Sequence, residues 1–169
     1  MGLAAGEAPD RDKAIAKLVE LRSGARDQAF AEFRQQTKSI TEFADQFATC
    51  IGCYNCAVAC PICFCRECFF RTATFEPESE RYFRWAERAG ALCMPTEILL
   101  FQLTSMNHMV ASCVGCGLCE SACPSKLPLT VIFRAVGDGV QKMLRYVPGR
   151  SLDDELPVTT FTEEGFPVV

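Results

Sequence analysis

Twelve cysteines stand in a chain of 169 residues, and their order along it is the first feature that could do chemistry. Eight of them fall into two copies of one pattern, Cys50-x2-Cys53-x2-Cys56-x3-Cys60-Pro61 and Cys113-x2-Cys116-x2-Cys119-x3-Cys123-Pro124. Three thiolates at this spacing wrap one face of an iron–sulfur cube, and the fourth, with its proline, starts a new chain direction. So short a loop turns its backbone N–H groups toward the sulfurs, and Gly52, Gly115 and Gly117 permit the close approach this needs. Zinc also takes C-x2-C pairs. Its sites, however, show two pairs split by a spacer, not four cysteines in eleven residues followed by proline, twice over.

The four cysteines left are Cys63, Cys65, Cys68 and Cys93, a number that completes a third set with nothing over. Cys63-x-Cys65-x2-Cys68 brings three thiolates within six residues. Cys93 lies just before Pro95, where a helix is expected to begin, and free N–H groups and the positive dipole end there suit an anionic cluster. The plainer reading of Cys93 is a buried structural thiol. The expected cofactors are three 4Fe–4S clusters.

Other chemistries find less support. The sole histidine, His108, cannot fill the several roles of a nucleophile–base–orienter set, and it reads better as a partly exposed helix residue than as a cluster neighbour. Disulfides would need an oxidising compartment, yet the N-terminus has no basic start followed by an apolar core. Apolar runs such as Ile98 to Phe101 are too short to cross a bilayer. The expectation is a reduced, cytoplasmic protein with no transmembrane segment. The formal charge is −4 with cysteines counted neutral, and each cluster with its four thiolates adds about −2 more, taking the loaded chain to about −10. Such a chain repels phosphates, so no nucleic-acid partner is expected. The basic and aromatic residues Arg66, Arg71, Arg81, Arg84 and Arg88 with Phe69, Phe70, Phe75, Tyr82, Phe83 and Trp85 are offset by Glu67, Glu76, Glu78, Glu80 and Glu87. That stretch reads as a surface for a partner subunit.

The elements that must position the cysteines are helical. Ile15, Leu18 and Val19 share a face from Asp12 onward, Ser23-Gly24 marks an interruption, and Phe30 and Phe33 continue on a second stretch. Ser39-Ile40-Thr41-Glu42 is a capping box, followed by Ile40, Phe43 and Phe47 at helical spacing into Cys50. A short helix is expected around Glu78–Ala89. Another starts at Pro95 with a stripe of Leu99, Leu103, Met106 and Val110, and a third starts at Pro128 with Leu129, Ile132, Phe133, Val136, Val140 and Met143 on one face, stopped by Pro148-Gly149. No alternating strand is visible. The tail, with Leu156, Phe161 and Phe166 among acidic residues, cannot form a core and reads as an extended arm.

In two-cluster ferredoxins the fourth cysteine of each run ligates the other cluster. Carried over, cluster one uses Cys50, Cys53, Cys56 and Cys123 and cluster two uses Cys113, Cys116, Cys119 and Cys60; the four that remain, Cys63, Cys65, Cys68 and Cys93, make cluster three. The two runs, with helical patterns between and around them, resemble the α-helical ferredoxin of heterodisulfide reductase and the iron–sulfur subunits of succinate dehydrogenase and fumarate reductase. The extension CPICFCREC is similar to the iron–sulfur region of deazaflavin-dependent formate dehydrogenase β subunits. It also resembles the small subunit that accompanies tungsten-dependent class II benzoyl-coenzyme A reductase. The deazaflavin enzymes carry a large flavin-binding domain, and no Gly-rich dinucleotide fingerprint occurs here, so the small-subunit comparison fits better.

These resemblances cover about residues 40–150. They imply a mostly α protein: an α-helical ferredoxin-like domain with two swapped-ligand 4Fe–4S motifs, an extra cluster loop and extended terminal arms. The expected divisions are a helical arm over 1–39, the iron–sulfur domain over 40–150 and an extended arm over 151–169. The implied role is an electron-transfer subunit between a catalytic oxidoreductase subunit, of the tungsten- or molybdenum-pterin type, and a flavin or heterodisulfide-reductase-like partner in an anaerobic complex. Two readings stand against it: a catalytic iron–sulfur enzyme with one open-site cluster, and a zinc-stabilised scaffold.

Overall fold

The computed structural model describes residues 9–63, 65, 67–75, 78–91, 94–155 and 157. Among them every regular element is helical, in the order α1 Arg11–Gln36, α2 Ile40–Asp45, α3 Asn55–Ala59, a 3₁₀ turn at Phe69–Arg71, α4 Ser79–Ala89, α5 Thr96–Met109, α6 Leu118–Ser121 and α7 Leu129–Met143. The mostly α expectation holds. Cys93, Arg66, Glu76, residues 1–8 and, within the arm expected over 151–169, Leu156 and residues 158–169 lie outside the described residues.

The core is built where α1, α5 and α7 meet beneath the cysteine loops. Phe47, Leu129 and Ile132 are fully buried, joined by Phe30 and Phe33 from α1 and Phe101, Met106 and Met109 from α5. α1 packs on α7 through its C-terminal part. There Arg34 donates to the Asp138 carboxylate at 2.8 Å and to the Ala135 carbonyl at 3.3 Å, while Lys142 reaches the same carboxylate at 2.9 Å. Burial pushes the Asp138 carboxyl up, but the hydrogen bonds and charges of Lys142 and Arg34 outweigh it and hold the group below its ordinary value.

Two expectations are corrected. Ser23-Gly24 does not interrupt α1, which runs unbroken for 26 residues. A helical glycine costs only about 1 kcal/mol relative to alanine, and the residues flanking it are good helix formers. The N-terminal part of this helix leaves Ile15, Leu18, Val19 and Leu21 exposed.

The second correction concerns α5. Its buried face is Ile98, Phe101, Gln102, Ser105, Met106 and Met109, and Leu103 is exposed. The polar Gln102 and Ser105 break the apolar stripe that pattern reading looks for, so the stripe through Leu103 points to the wrong side. The α7 face is close to expectation: Leu129, Ile132 and Phe133 are buried, and Val136 and Val140 pack against the core. Met143 is exposed. Gly137 lets α7 approach the end of α5, since a Cβ there would lie 3.0 Å from the Val110 carbonyl oxygen.

Candidate metal centre

Each cysteine run folds into the same sequence of turns. In the first, the capping box starts α2, with Glu42 N–H donating to Ser39 Oγ at 3.2 Å and Ser39 N–H donating to the Glu42 carboxylate at 2.9 Å. Phe43 meets Phe47 edge to face, and the Cys50 N–H then bonds back to the Phe47 carbonyl at 2.8 Å. The chain passes through left-handed Gly52 and left-handed Tyr54 before α3 lifts Cys56 inward. Tyr54 holds its conformation with its ring edge-on to Phe101, the centroids 4.7 Å apart.

The second run repeats this path, with left-handed Gly115 and Gly117 ahead of α6, which carries Cys119. After the fourth cysteine of each run the chain makes the same turn, Cys63 N–H to the Cys60 carbonyl and Lys126 N–H to the Cys123 carbonyl, both at 3.1 Å. α3 packs against α6, which sets the two loops side by side.

The sulfurs sort themselves across this pairing. One cavity is walled by Cys50, Cys53 and Cys56 from the first run and Cys123 from the second, closed by Phe101, Gln102, Leu127 and Leu129. Cys56 is buried, and desolvation first, then the neighbouring Cys50, pushes its thiol up to about 12. The Ala57 N–H opposes this by donating to the Cys56 sulfur, and Cys53 and Cys119 add to the rise.

Cys119 is raised mainly by burial, eased by the N–H of Glu120, and the thiols it feels are Cys60, Cys113 and Cys116. Cys63 is raised by burial and then by Cys65, Cys60 and Cys68. Three adjoining neighbourhoods are thus seen: Cys50, Cys53, Cys56 and Cys123; Cys60, Cys113, Cys116 and Cys119; and the trio Cys63, Cys65 and Cys68, with Cys119 also felt by Cys56 and Cys60 also felt by Cys63. Cys93, the fourth residue expected of the trio, lies outside the described residues. The Cys60 sulfur also rests 3.1 Å from the thioether of buried Met109.

The donor set fits an iron–sulfur cube. All eleven described cysteines are free thiols, and the loops that carry them aim N–H groups at sulfur. Among the described residues no three His, Cys, Asp or Glu side chains close on a point that would hold a single metal ion. When bound, such a cluster would supply one-electron redox chemistry, and the chain would supply its thiolates and its N–H donors. His108 is exposed.

Supporting residues on α5 and α7 carry no cysteine and escape a reading by motif. Arg134 donates to the Cys113 carbonyl and, at 3.0 Å, to Gln141 Oε1. Gln141 in turn donates to the carbonyls of Val110 at 2.8 Å and Cys113 at 3.2 Å. Gln102, 1% exposed, places Nε2 3.8 Å from the Cys50 sulfur. Their signal is a polar residue at a core-facing helical position, visible only once the face of each helix is known.

Residues 46–127 match the 4Fe–4S dicluster domain family. The chain is 32% identical over 123 residues to the F420-dependent formate dehydrogenase subunit beta of Methanocaldococcus jannaschii, covering 73% of this chain and 28% of that protein. It is 37% identical over 119 residues to the F420-dependent formate dehydrogenase 1 subunit beta of Methanococcus maripaludis, covering 70% and 27%. With the sulfhydrogenase 2 subunit beta of Pyrococcus furiosus it shares 27% identity over 111 residues, covering 54% and 31%. The chain therefore spans less than a third of the length of each of these relatives. With its paired cysteine loops, its helical frame and these likenesses, the chain carries a 4Fe–4S dicluster domain of the ferredoxin type.

Proposed function

We propose that this chain is an electron-transfer subunit holding three 4Fe–4S clusters and relaying single electrons between a catalytic oxidoreductase subunit and a flavin or iron–sulfur partner. Cluster one is held by Cys50, Cys53, Cys56 and Cys123, cluster two by Cys113, Cys116, Cys119 and Cys60, and cluster three by Cys63, Cys65, Cys68 and Cys93. The observation that carries the reading is the single cavity walled by three cysteines of the first run and Cys123 of the second. The packing of α3 on α6 supports close spacing of clusters one and two. The Cys60–Cys63 turn supports a third cluster on the Cys60 side.

The relatives named above are β subunits of a formate dehydrogenase and a sulfhydrogenase, which supports a catalytic partner; a tungsten- or molybdenum-pterin subunit is the type proposed. Phe69, Phe83 and Trp85 are exposed on and beside α4, where Arg81 stacks 4.9 Å over the Trp85 ring, and this surface suits a protein partner. Among the described residues no helix is long and apolar enough to cross a membrane, and a cytoplasmic setting in an anaerobe is proposed with the rest.

The test is anaerobic purification with iron and acid-labile sulfide analysis. About twelve of each per chain are expected for three cubes. About eight would remove cluster three, and none would remove the proposal.

A further inference from the structure

Gln102 is the most deeply buried polar side chain among the described residues, at 1% exposure, and it closes the cavity walled by Cys50, Cys53, Cys56 and Cys123. Its Nε2 lies 3.8 Å from the Cys50 sulfur, and its Oε1 has no hydrogen-bond partner among the described residues. A buried carbonyl oxygen without a donor costs about 1–3 kcal/mol. A leucine or methionine would fill the same space on the apolar face of α5 without that cost. The amide must therefore find its return on the other atom, and the acceptor that faces that atom is the thiol of Cys50. A neutral thiol is a weak acceptor, whereas a thiolate bound to an anionic cluster makes a charge-assisted bond. Turning the amide over would set its carbonyl oxygen against that negative sulfur, so the N–H end faces the cluster.

We infer that Gln102 tunes cluster one: its side-chain N–H donates to the Cys50 sulfur and raises the cluster's reduction potential. The inference rests on the assignment of that cluster to Cys50, Cys53, Cys56 and Cys123. Reduction adds one electron, takes the core from 2+ to 1+ and breaks no bond. The cluster with its thiolates goes from about −2 to about −3, and the donor stabilises the more negative state more. Gln102 is buried and the Cys50 sulfur it faces is partly so, which weakens the screening of the interaction. Gln102 touches a ligand and not the iron, so it acts as a positioning residue whose signature is a potential.

The experiment is a dithionite titration of the loaded chain followed by electron paramagnetic resonance, comparing wild type with Gln102→Leu and Gln102→Met. In both variants one cluster is expected to become harder to reduce, its reduced-to-oxidised ratio at fixed poise falling about tenfold, or about 59 mV for one electron. The other clusters keep their potentials, and iron and sulfide stay at the wild-type content. Unchanged or raised potentials with full iron content would overturn the inference and leave the cluster assignment standing. A wild-type chain without iron and sulfide would overturn the assignment itself. A measurement that needs no variant to fold is the hyperfine coupling between a reduced cluster and glutamine labelled with ¹⁵N in its side-chain amide. Its presence supports the N–H···S contact and its absence refutes it.

Discussion

In the loop from Cys50 to Cys60 the left-handed positions fall on Gly52 and Tyr54; in the loop from Cys113 to Cys123 they fall on Gly115 and Gly117. The backbone path is the same, yet the two are held differently. The first is backed by aromatic rings and a buried amide: Tyr54 against Phe101, and Gln102 against the Cys50 sulfur. The second is clamped from behind by α7, whose Arg134 and Gln141 occupy the carbonyls of Val110 and Cys113. A cluster loop can thus be fixed either through its side chains from the core or through its carbonyls from a neighbouring helix. The repeat also diverges at its last turn, where the first copy has Cys63 and the second has Lys126 in the left-handed region. The third cysteine set grows out of one copy only.

The largest effect is expected from the proposed exchange of ligands between the two loops. With Cys53 and Cys123 in one cluster, C53A and C123A should each lower iron from about twelve to about eight per chain, and the double variant should stay at about eight. C53A with C60A, which strikes both clusters, should fall to about four. The reverse order, with the C53A/C123A pair losing more iron than C53A/C60A, would mean that each loop keeps its own fourth cysteine. Iron analysis of anaerobic preparations decides it.

Next in size is the α7 clamp. Arg134→Met removes donors from the Cys113 carbonyl and from Gln141 Oε1 and is expected to destabilise by about 2–3 kcal/mol, read by denaturant unfolding under argon. Gly115→Ala should cost a similar amount, because a Cβ would meet Arg134 Cδ at 3.1 Å on top of a φ of +75°. Its counterpart Gly52→Ala meets only Ile98, at 3.9 Å, and is expected to show the backbone strain alone, about 1–2 kcal/mol. Equal costs at the two glycines would show that the Arg134 side chain gives way to the added methyl.

The smallest effect belongs to the contact of α7 with α1. Asp138→Asn, which weakens the contacts to Arg34 and Lys142, should cost about 1 kcal/mol or less. Because the folded carboxyl is held below its ordinary value, its contribution is present above the ordinary carboxylate range and is lost as pH falls through the lowered value. Unfolding measured on either side of that range should show the wild-type advantage only at the higher pH.

The cysteine spacing makes the two loops legible, down to the glycines that turn them, because ligand geometry leaves a short motif little freedom. Helix positions are also readable from the caps and prolines: Ser39 and Glu42 form the box, Pro95 and Pro128 precede α5 and α7, and α4 lies at Ser79–Ala89. The supporting shell is not. Gln102, Arg134 and Gln141 are polar residues on buried or half-buried helix faces, and a binary apolar pattern scores them as surface. Leu103 falls into the expected core for the same reason, since the true face of α5 passes through Gln102 and Ser105. Tyr54 is equally hidden, because a left-handed tyrosine is held by Phe101, a contact across the fold.

α1 is about 39 Å long at 1.5 Å per residue, yet Phe30 and Phe33, its only buried residues, fall in its last third. Helices shorter than about 12–15 residues are marginal in water by themselves, so the opening turns gain little from their own propensity. Amide hydrogen exchange should then grade along this one helix, fast near Ile15 and slow near Phe33. Any neighbour that settles on the exposed end would register as protection appearing there first.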